Sequence, residues 1–190
     1  MEEKKEGRRV KITKMLLKES LIELMKEKSI HQISIKEICL GADVNRSTFY
    51  RHYDTQYELY DDIITDLTNE ITGVFNKSYE SNCNTQETLT NILKYIESKR
   101  ETFLVILSEK SNVSVGEAYS TIISKFIDKE HTTELGAYVI QFVAAGMTSF
   151  VWSWLSKEDR RSAKEVASVF YTLMIHGLKR AIDFSAQNGS

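Results

Sequence analysis

Proline is absent from all 190 residues, glycine occurs only eight times, and there are just two cysteines. Proline normally punctuates turns and sheet edges and breaks helix interiors, so its absence favours long uninterrupted helices. So little glycine excludes collagenous and glycine-rich low-complexity chains. Cys39 and Cys83 stand far apart with no Cys-x-x-Cys pair, which excludes a disulfide-stapled scaffold and fits a reduced compartment. Neither sign of charge dominates: 25 Lys and Arg face 27 Asp and Glu, a net of -2. That balance excludes a uniformly basic coat and leaves room for a locally basic surface. Residues 1–9, MEEKKEGRR, lack the apolar core of a signal peptide, and the expected location is the cytoplasm.

Chemistry-bearing patterns are also scarce. His31, His52, His131 and His176 are scattered, with no His-x-x-x-His cluster and no cysteine at ligand spacing. A glycine-rich phosphate loop and a Gly-x-Ser-x-Gly elbow are both missing. No metal, cofactor or enzymatic activity is therefore expected. One stretch, Ala137 to Leu155, runs without a formal charge and is of borderline length for a membrane span. Gln141, Thr148, Ser149 and Ser153 dilute it, so a helix buried in the protein or at a dimer interface is the expectation, with no membrane partner.

What the chain does have is apolar content, 42%, arranged in helical periods behind repeated start signals. Ser/Thr/Asn-x-x-Glu occurs at Ser34–Glu37, Thr55–Glu58, Asn84–Glu87, Ser114–Glu117 and Ser162–Glu165. In such a box the first side chain accepts a backbone N–H three residues on, and the Glu reaches back. An all-α chain is expected. Its helices should run over about 9–28, 34–42, 45–53, 55–75, 85–98, 100–110, 115–129, 133–156 and 162–184. On the first helix Ile12, Met15 or Leu16, Leu17, Ser20, Leu21 and Leu24 should form the buried stripe. Charge divides the chain into two expected domains. Residues 1–56 hold twelve Lys/Arg against nine Asp/Glu, net +3, and residues 57–190 hold thirteen against eighteen, net -5.

Residues 33–59, ISIKEICLGADVNRSTFYRHYDTQYEL, carry the sharpest signal. Two short helices flank a turn at Asp43-Val44, with Ile33 and Ile38 spaced as one hydrophobic staple and Val44 and Phe49 as another. That is a helix-turn-helix unit. With Phe49 inward, Arg46, Ser47, Thr48, Tyr50, Arg51 and His52 remain available, groups that reach base edges and phosphates in a major groove. The stretch ICLGADVNRSTFYRHY followed by Tyr57-Glu-Leu resembles the DNA-binding domain of TetR-type regulators over about residues 9–60.

The resemblance implies a transcription regulator, expected to repress, that binds a palindromic double-stranded operator as a homodimer. It also implies a variable C-terminal domain that senses an effector, either a small molecule or a protein. Carried over, Lys36, Arg46, Ser47, Thr48 and Tyr50 would meet DNA and His52 would touch a phosphate. Two departures stand out: Asp43 where the family has Gly in the turn, and Gln56 where it has a phosphate-gripping Lys. The C-terminal part is similar to a subset of the family associated with dihydroxyacetone kinase operons.

Beyond residue 130 the pattern is less specific. Ala145, Ser149 and Ser153 form a line of small residues, while Phe142, Gly146, Phe150 and Trp154 form a mostly aromatic one. With Phe170, Met174 and Gly177 of the last helix they suggest an isologous four-helix dimer interface, the alternative being intramolecular core. Phe103, Tyr119, Phe126, Tyr138, Trp152, Tyr171 and His176 are candidates for an aromatic pocket, and core packing explains such residues equally well. A rival reading is a helical adaptor that acts through a protein partner with little DNA binding of its own.

Overall fold

In the computed structural model, the described residues are 2–108, 117–118, 121–122, 134–173, 177 and 180. They form α1 (Glu2–Met25), a 3-10 turn (Ile30–Gln32), α2 (Ile35–Gly41), α3 (Arg46–Tyr50) and α4 (Gln56–Glu80). Then come α5 (Thr85–Ser98), α6 (Arg100–Ser108), α7 (Glu134–Ser156) and α8 (Ala163–Leu173). The fold is all-α, with no strand among the described residues. The helix expected over 115–129 lies outside them, apart from four residues. The chain divides into two compact units, Met1–Asp66 and Leu67–Ser190, and α4 runs through the boundary.

Local chemistry sets the helix ends. Ser34 Oγ accepts the Glu37 N–H at 3.3 Å, and Glu37 Oε2 accepts the Ser34 N–H at 2.9 Å. The same reciprocal pairs open α5 at Asn84–Glu87 and α8 at Ser162–Glu165. At Thr55 only half the box forms, because Glu58 reaches one residue further back to the Asp54 N–H at 2.7 Å. Ser114 lies outside the described residues. Two helices close on a left-handed residue other than glycine. Asp43 (φ 52°) and Asn82 (φ 54°) take the left-handed position that closes α2 and α4. In each case the following N–H reaches back to the third-last helical carbonyl: Val44 to Cys39 at 3.0 Å, Cys83 to Ser78 at 2.9 Å.

In the first unit the core gathers Leu17, Leu21, Ile33, Ile38, Phe49, Leu59 and Tyr60, all essentially inaccessible. The α1 stripe starts later than its periodicity suggests. Leu17, Ser20, Leu21 and Met25 are buried, whereas Ile12, Met15 and Leu16 are exposed. Before Leu17 the apolar side chains of α1 therefore lie on its exposed side. Where α1 and α2 cross, a Cβ on Gly41 would stand 2.4 Å from Ser20 Oγ, and that hydroxyl donates to the Ile38 carbonyl at 2.9 Å.

In the second unit α5 buries Leu89, Ile92, Leu93 and Ile96 and packs most extensively on α8, which contributes Ala163, Val166, Ala167 and Phe170. Polar clips pin the turn between α7 and α8. Arg100 Nε donates to the Leu155 carbonyl at 2.7 Å, meeting one of the unpaired carbonyls at the end of α7. Trp154 Nε1 donates to the Arg161 carbonyl at 2.7 Å, and Arg160 pairs with Glu97 at 2.9 Å. The window Ala137–Ser156 is long and apolar enough to cross a membrane by length and composition alone, and 22% of it is buried.

The crossing of α1 and α2 generates a stability prediction. Gly41→Ala gains helix propensity worth at most ~1 kcal/mol, and it displaces a buried hydroxyl whose lost bond costs about 1–3 kcal/mol. The variant should be less stable by about 1 kcal/mol in urea unfolding. In a Ser20→Ala background the same substitution should be neutral or stabilising. An equal effect in both backgrounds would contradict the close approach.

Candidate nucleic-acid interface

The turn between α2 and α3 stands on Asp43. Its left-handed backbone costs an ordinary L-residue roughly 1–2 kcal/mol, less for Asp than for most. The bonds from Asp43 N–H to Leu40 (3.3 Å) and Val44 N–H to Cys39 (3.0 Å) hold it there. Asn45 then caps α3. Its Oδ1 accepts the Thr48 N–H at 2.8 Å, the Ser47 hydroxyl at 2.6 Å and the Thr48 hydroxyl at 2.8 Å. Phe49, fully buried, anchors the inner side of α3, edge-on to Tyr50 at 5.7 Å and tilted against Tyr53 at 5.8 Å.

The outer side of this assembly carries the candidate residues. Lys36, Arg46, Ser47, Tyr50 and Arg51 are exposed, Tyr50 by 54%; Thr48, His52 and Gln56 are half-buried. Charge is partitioned among the cations of the first unit. Lys14 and Lys18 pair with Asp62, Lys26 with Glu23, and Lys28 with Glu37. Lys36, Arg46 and Arg51 form no salt bridge among the described residues. Burial first, then Lys14 and Arg51, hold His52 below its ordinary pKa, so near pH 7 its ring is neutral and offers one N–H. The Ser47 and Thr48 hydroxyls already donate to Asn45. Toward a ligand they present lone pairs, suited to a base amino group and unsuited to a phosphate unless the cap breaks.

The sequence did not single out one cluster in the same unit. The Tyr53 hydroxyl, Lys14 and Lys18 converge on Asp62 of α4. A signal for part of it existed: Lys14 and Lys18, and Asp62 and Asp66, each lie four residues apart on one helix face.

In the second unit the interface and pocket candidates separate by exposure. On α7, Tyr138, Phe142, Ala145, Ser149, Phe150, Trp152 and Ser153 are exposed, Phe142 by 80%, while Ala144, Val151, Trp154 and Leu155 are buried. The aromatic line from Phe142 to Trp154 therefore does not stay on one face. Four residues overshoot a helical turn by about 40°, so three such steps carry Trp154 roughly a third of a turn away. Phe150 and Phe170 rings meet at 4.8 Å, with Phe170 buried. Gly177 is exposed. Phe103 is buried edge-on to Tyr95 at 6.2 Å, Tyr171 is half-buried, and Tyr138 and Trp152 face outward. Tyr119, Phe126, Met174 and His176 lie outside the described side chains.

Comparisons with known proteins address both units. Residues 19–63 match the family model of bacterial regulatory proteins of the tetR family. Residues 83–176, which include α7, match a transcriptional regulator C-terminal region. An uncharacterized HTH-type transcriptional regulator, YxbF of Bacillus subtilis (strain 168), is 35% identical over 51 residues, which are 27% of this chain and 13% of that protein. The match thus spans about an eighth of the relative's length. Among solved structures, a TetR transcriptional regulator from Streptococcus agalactiae 2603V superposes with a TM-score of 0.66 at 20% identity, over 90% of this chain and 97% of its own. A dihydroxyacetone kinase operon activator, DhaS, superposes with a TM-score of 0.56 at 20% identity, over 88% and 97%. At that identity the two structures speak for the fold.

The N-terminus of α2, which presents Lys36, depends on an ionised carboxylate. Glu37 receives Lys28 on one oxygen and the Ser34 N–H and hydroxyl on the other, at 2.9 and 2.8 Å. The Lys28 bond, then Ser34, lower its pKa from 4.5 to about 2. A depressed carboxylate stabilises the fold above its unfolded value, and that contribution fades as pH falls toward the folded one. Glu37→Gln should melt below wild type at neutral pH, and the two should converge between about pH 4.5 and 2. A gap that stays constant across that window would contradict this.

Proposed function

The chain belongs to the TetR family of bacterial transcriptional regulators, and on that premise we propose that it binds a near-palindromic operator as a homodimer and represses transcription. In this reading residues 1–56 form the DNA-binding domain and residues 57–190 the regulatory and dimerisation domain of a cytoplasmic protein. Two α3 helices enter successive major grooves, their centres one DNA turn or a multiple apart, roughly 34–36 Å. Tyr50, Ser47 and Thr48 read base edges, with Arg46 beside them. Lys36, Arg51 and His52 take phosphates, and Gln56 adds one neutral bond where the family places a lysine.

The observation that carries this reading is the partition of cations. Lys14 and Lys18 of α1 are occupied by carboxylates, while Lys36, Arg46 and Arg51 stand exposed around a capped helix without a salt bridge among the described residues, as do Arg8, Arg9 and Lys11 on α1. Cations left unpaired around a short capped helix suit a polyanionic partner.

The outward face of α7 supports the dimer. Ala145, Ser149 and Ser153 allow a partner helix close, with Phe142 and Phe150 beside them and Phe170 and Gly177 on the following segment. An effector, small molecule or protein, acts in the C-terminal domain. Tyr138, Trp152, Tyr171 and Phe103 are the aromatic candidates there, together with Tyr119, Phe126 and His176. It favours a dimer geometry that fits or misfits the operator.

Two measurements test the reading. Tyr50→Ala should abolish retardation of a duplex enriched by the wild-type protein from a random library, leaving helical circular dichroism and the dimer intact. Normal retardation by the variant would remove α3 as the reading helix. Ala145→Arg should shift sedimentation from dimer to monomer, and an unchanged dimer would place the interface elsewhere.

A further inference from the structure

Asp62 lies outside the helix-turn-helix, two turns into α4, yet a single oxygen of its side chain gathers three donors from two other segments. Tyr53 Oη donates to Oδ2 at 2.6 Å, Lys18 Nζ stands 3.0 Å from it, and Lys14 Nζ 3.2 Å. Lys18 reaches on to the Asp62 carbonyl at 3.3 Å and to the carboxylate of Asp66 one turn later. Lys14 also stands 5.0 Å over the Tyr53 ring. Tyr53 is itself 3% exposed and follows directly on Arg51 and His52 at the end of the recognition helix.

A phenylalanine would fill the space of that ring. The hydroxyl adds a directional bond, and a buried phenol without one would be costly. The Asn45 cap and the packing of Phe49 hold the start and inner side of α3. A bond from Tyr53 to a carboxylate that is itself held by two lysines of α1 ties down its far end. The paired spacing of Lys14 and Lys18 against Asp62 and Asp66 also sets the register of α1 on α4, since a slip by one turn would leave a charge of each helix unmatched. At Asp62 the effect of burial is outweighed by the bonds from Tyr53, Lys18 and Lys14, so the carboxyl lies below its ordinary pKa and stays ionised as an acceptor.

We propose that Asp62 is a positioning residue for DNA recognition: by holding Tyr53, Lys14 and Lys18 on one oxygen it clamps the end of α3 to α1 and α4 and sets the angle of the recognition helix. This rests on the reading that α3 meets DNA. The clamp touches no base or phosphate itself. It acts on selectivity, because base-edge bonds tolerate little rotation of the helix whereas phosphate attraction tolerates a good deal.

The test uses the full chain, the library-enriched duplex and a mixed-sequence duplex at one salt concentration. Tyr53→Phe keeps ring and charge and deletes the hydroxyl. It should weaken binding to the enriched duplex by about tenfold and leave the mixed-sequence duplex within about twofold. Asp62→Asn should lose the same selectivity while holding or gaining on mixed DNA, where Lys14 loses its carboxylate and Lys18 keeps Asp66. The double variant should be no worse than the poorer single, as both remove one bond. Singles within about twofold of wild type on the enriched duplex, equal losses on both duplexes, or additive losses would each overturn the proposal. A wild-type protein that enriches no duplex would overturn the DNA reading and the clamp with it, and that outcome is seen before any variant is made.

Discussion

A helix of five residues has no stability of its own, so everything on the surface of Arg46–Tyr50 depends on what surrounds it. Three supports converge there. Asn45 takes three donors on one oxygen at the start, the buried Phe49 ring fixes the inner side, and the left-handed Asp43 aims the chain into the first turn. Each is local, and each draws on the core formed by Leu17, Leu21, Ile38 and Tyr60. A helix held in this way presents its outer side chains from a fixed platform, which spares the ordering cost that a loop would meet on binding.

Charge follows the same division between support and display. Salt bridges on a protein surface contribute little apiece, so those of Lys14, Lys18 and Lys28 matter more for geometry than for stability. They fix the place of α1, the start of α2 and the beginning of α4. The cations left over include Lys36, Arg46 and Arg51 of the helix-turn-helix, besides Arg8, Arg9 and Lys11 on α1. The net of +3 over residues 1–56 conceals this, because it sums lysines that serve the fold with cations that have no internal use.

Much of the fold could be read from the chain because its determinants are short-range. A Ser or Asn three residues before a Glu identifies a helix start whatever the rest of the protein does, and Ser34, Asn84 and Ser162 all cap as their spacing suggests. The turn at Asp43-Val44 was legible for the same reason, its left-handed backbone only from the structure. Longer-range facts were not. Ile12, Met15 and Leu16 continue the apolar rhythm of α1 but lie exposed on it. The aromatic line on α7 breaks because a four-residue step drifts against the helical period. The bond from Tyr53 to Asp62 joins segments whose approach only the fold determines. In the second unit aromatic spacing was least informative, since Phe103 in the core and Phe142 in the open share the same pattern.

DNA binding depends on Lys36, Arg46 and Arg51 being free for phosphates and bases, and its salt dependence tests this most directly. Each phosphate neutralised on duplex DNA contributes about -0.9 to the slope of log affinity against log salt. Lys36 and Arg51, the phosphate cations in each of two subunits, predict a slope of about -4 on the enriched duplex, falling in steps as each is replaced by alanine. A slope near zero, or one that neither replacement changes, would contradict this.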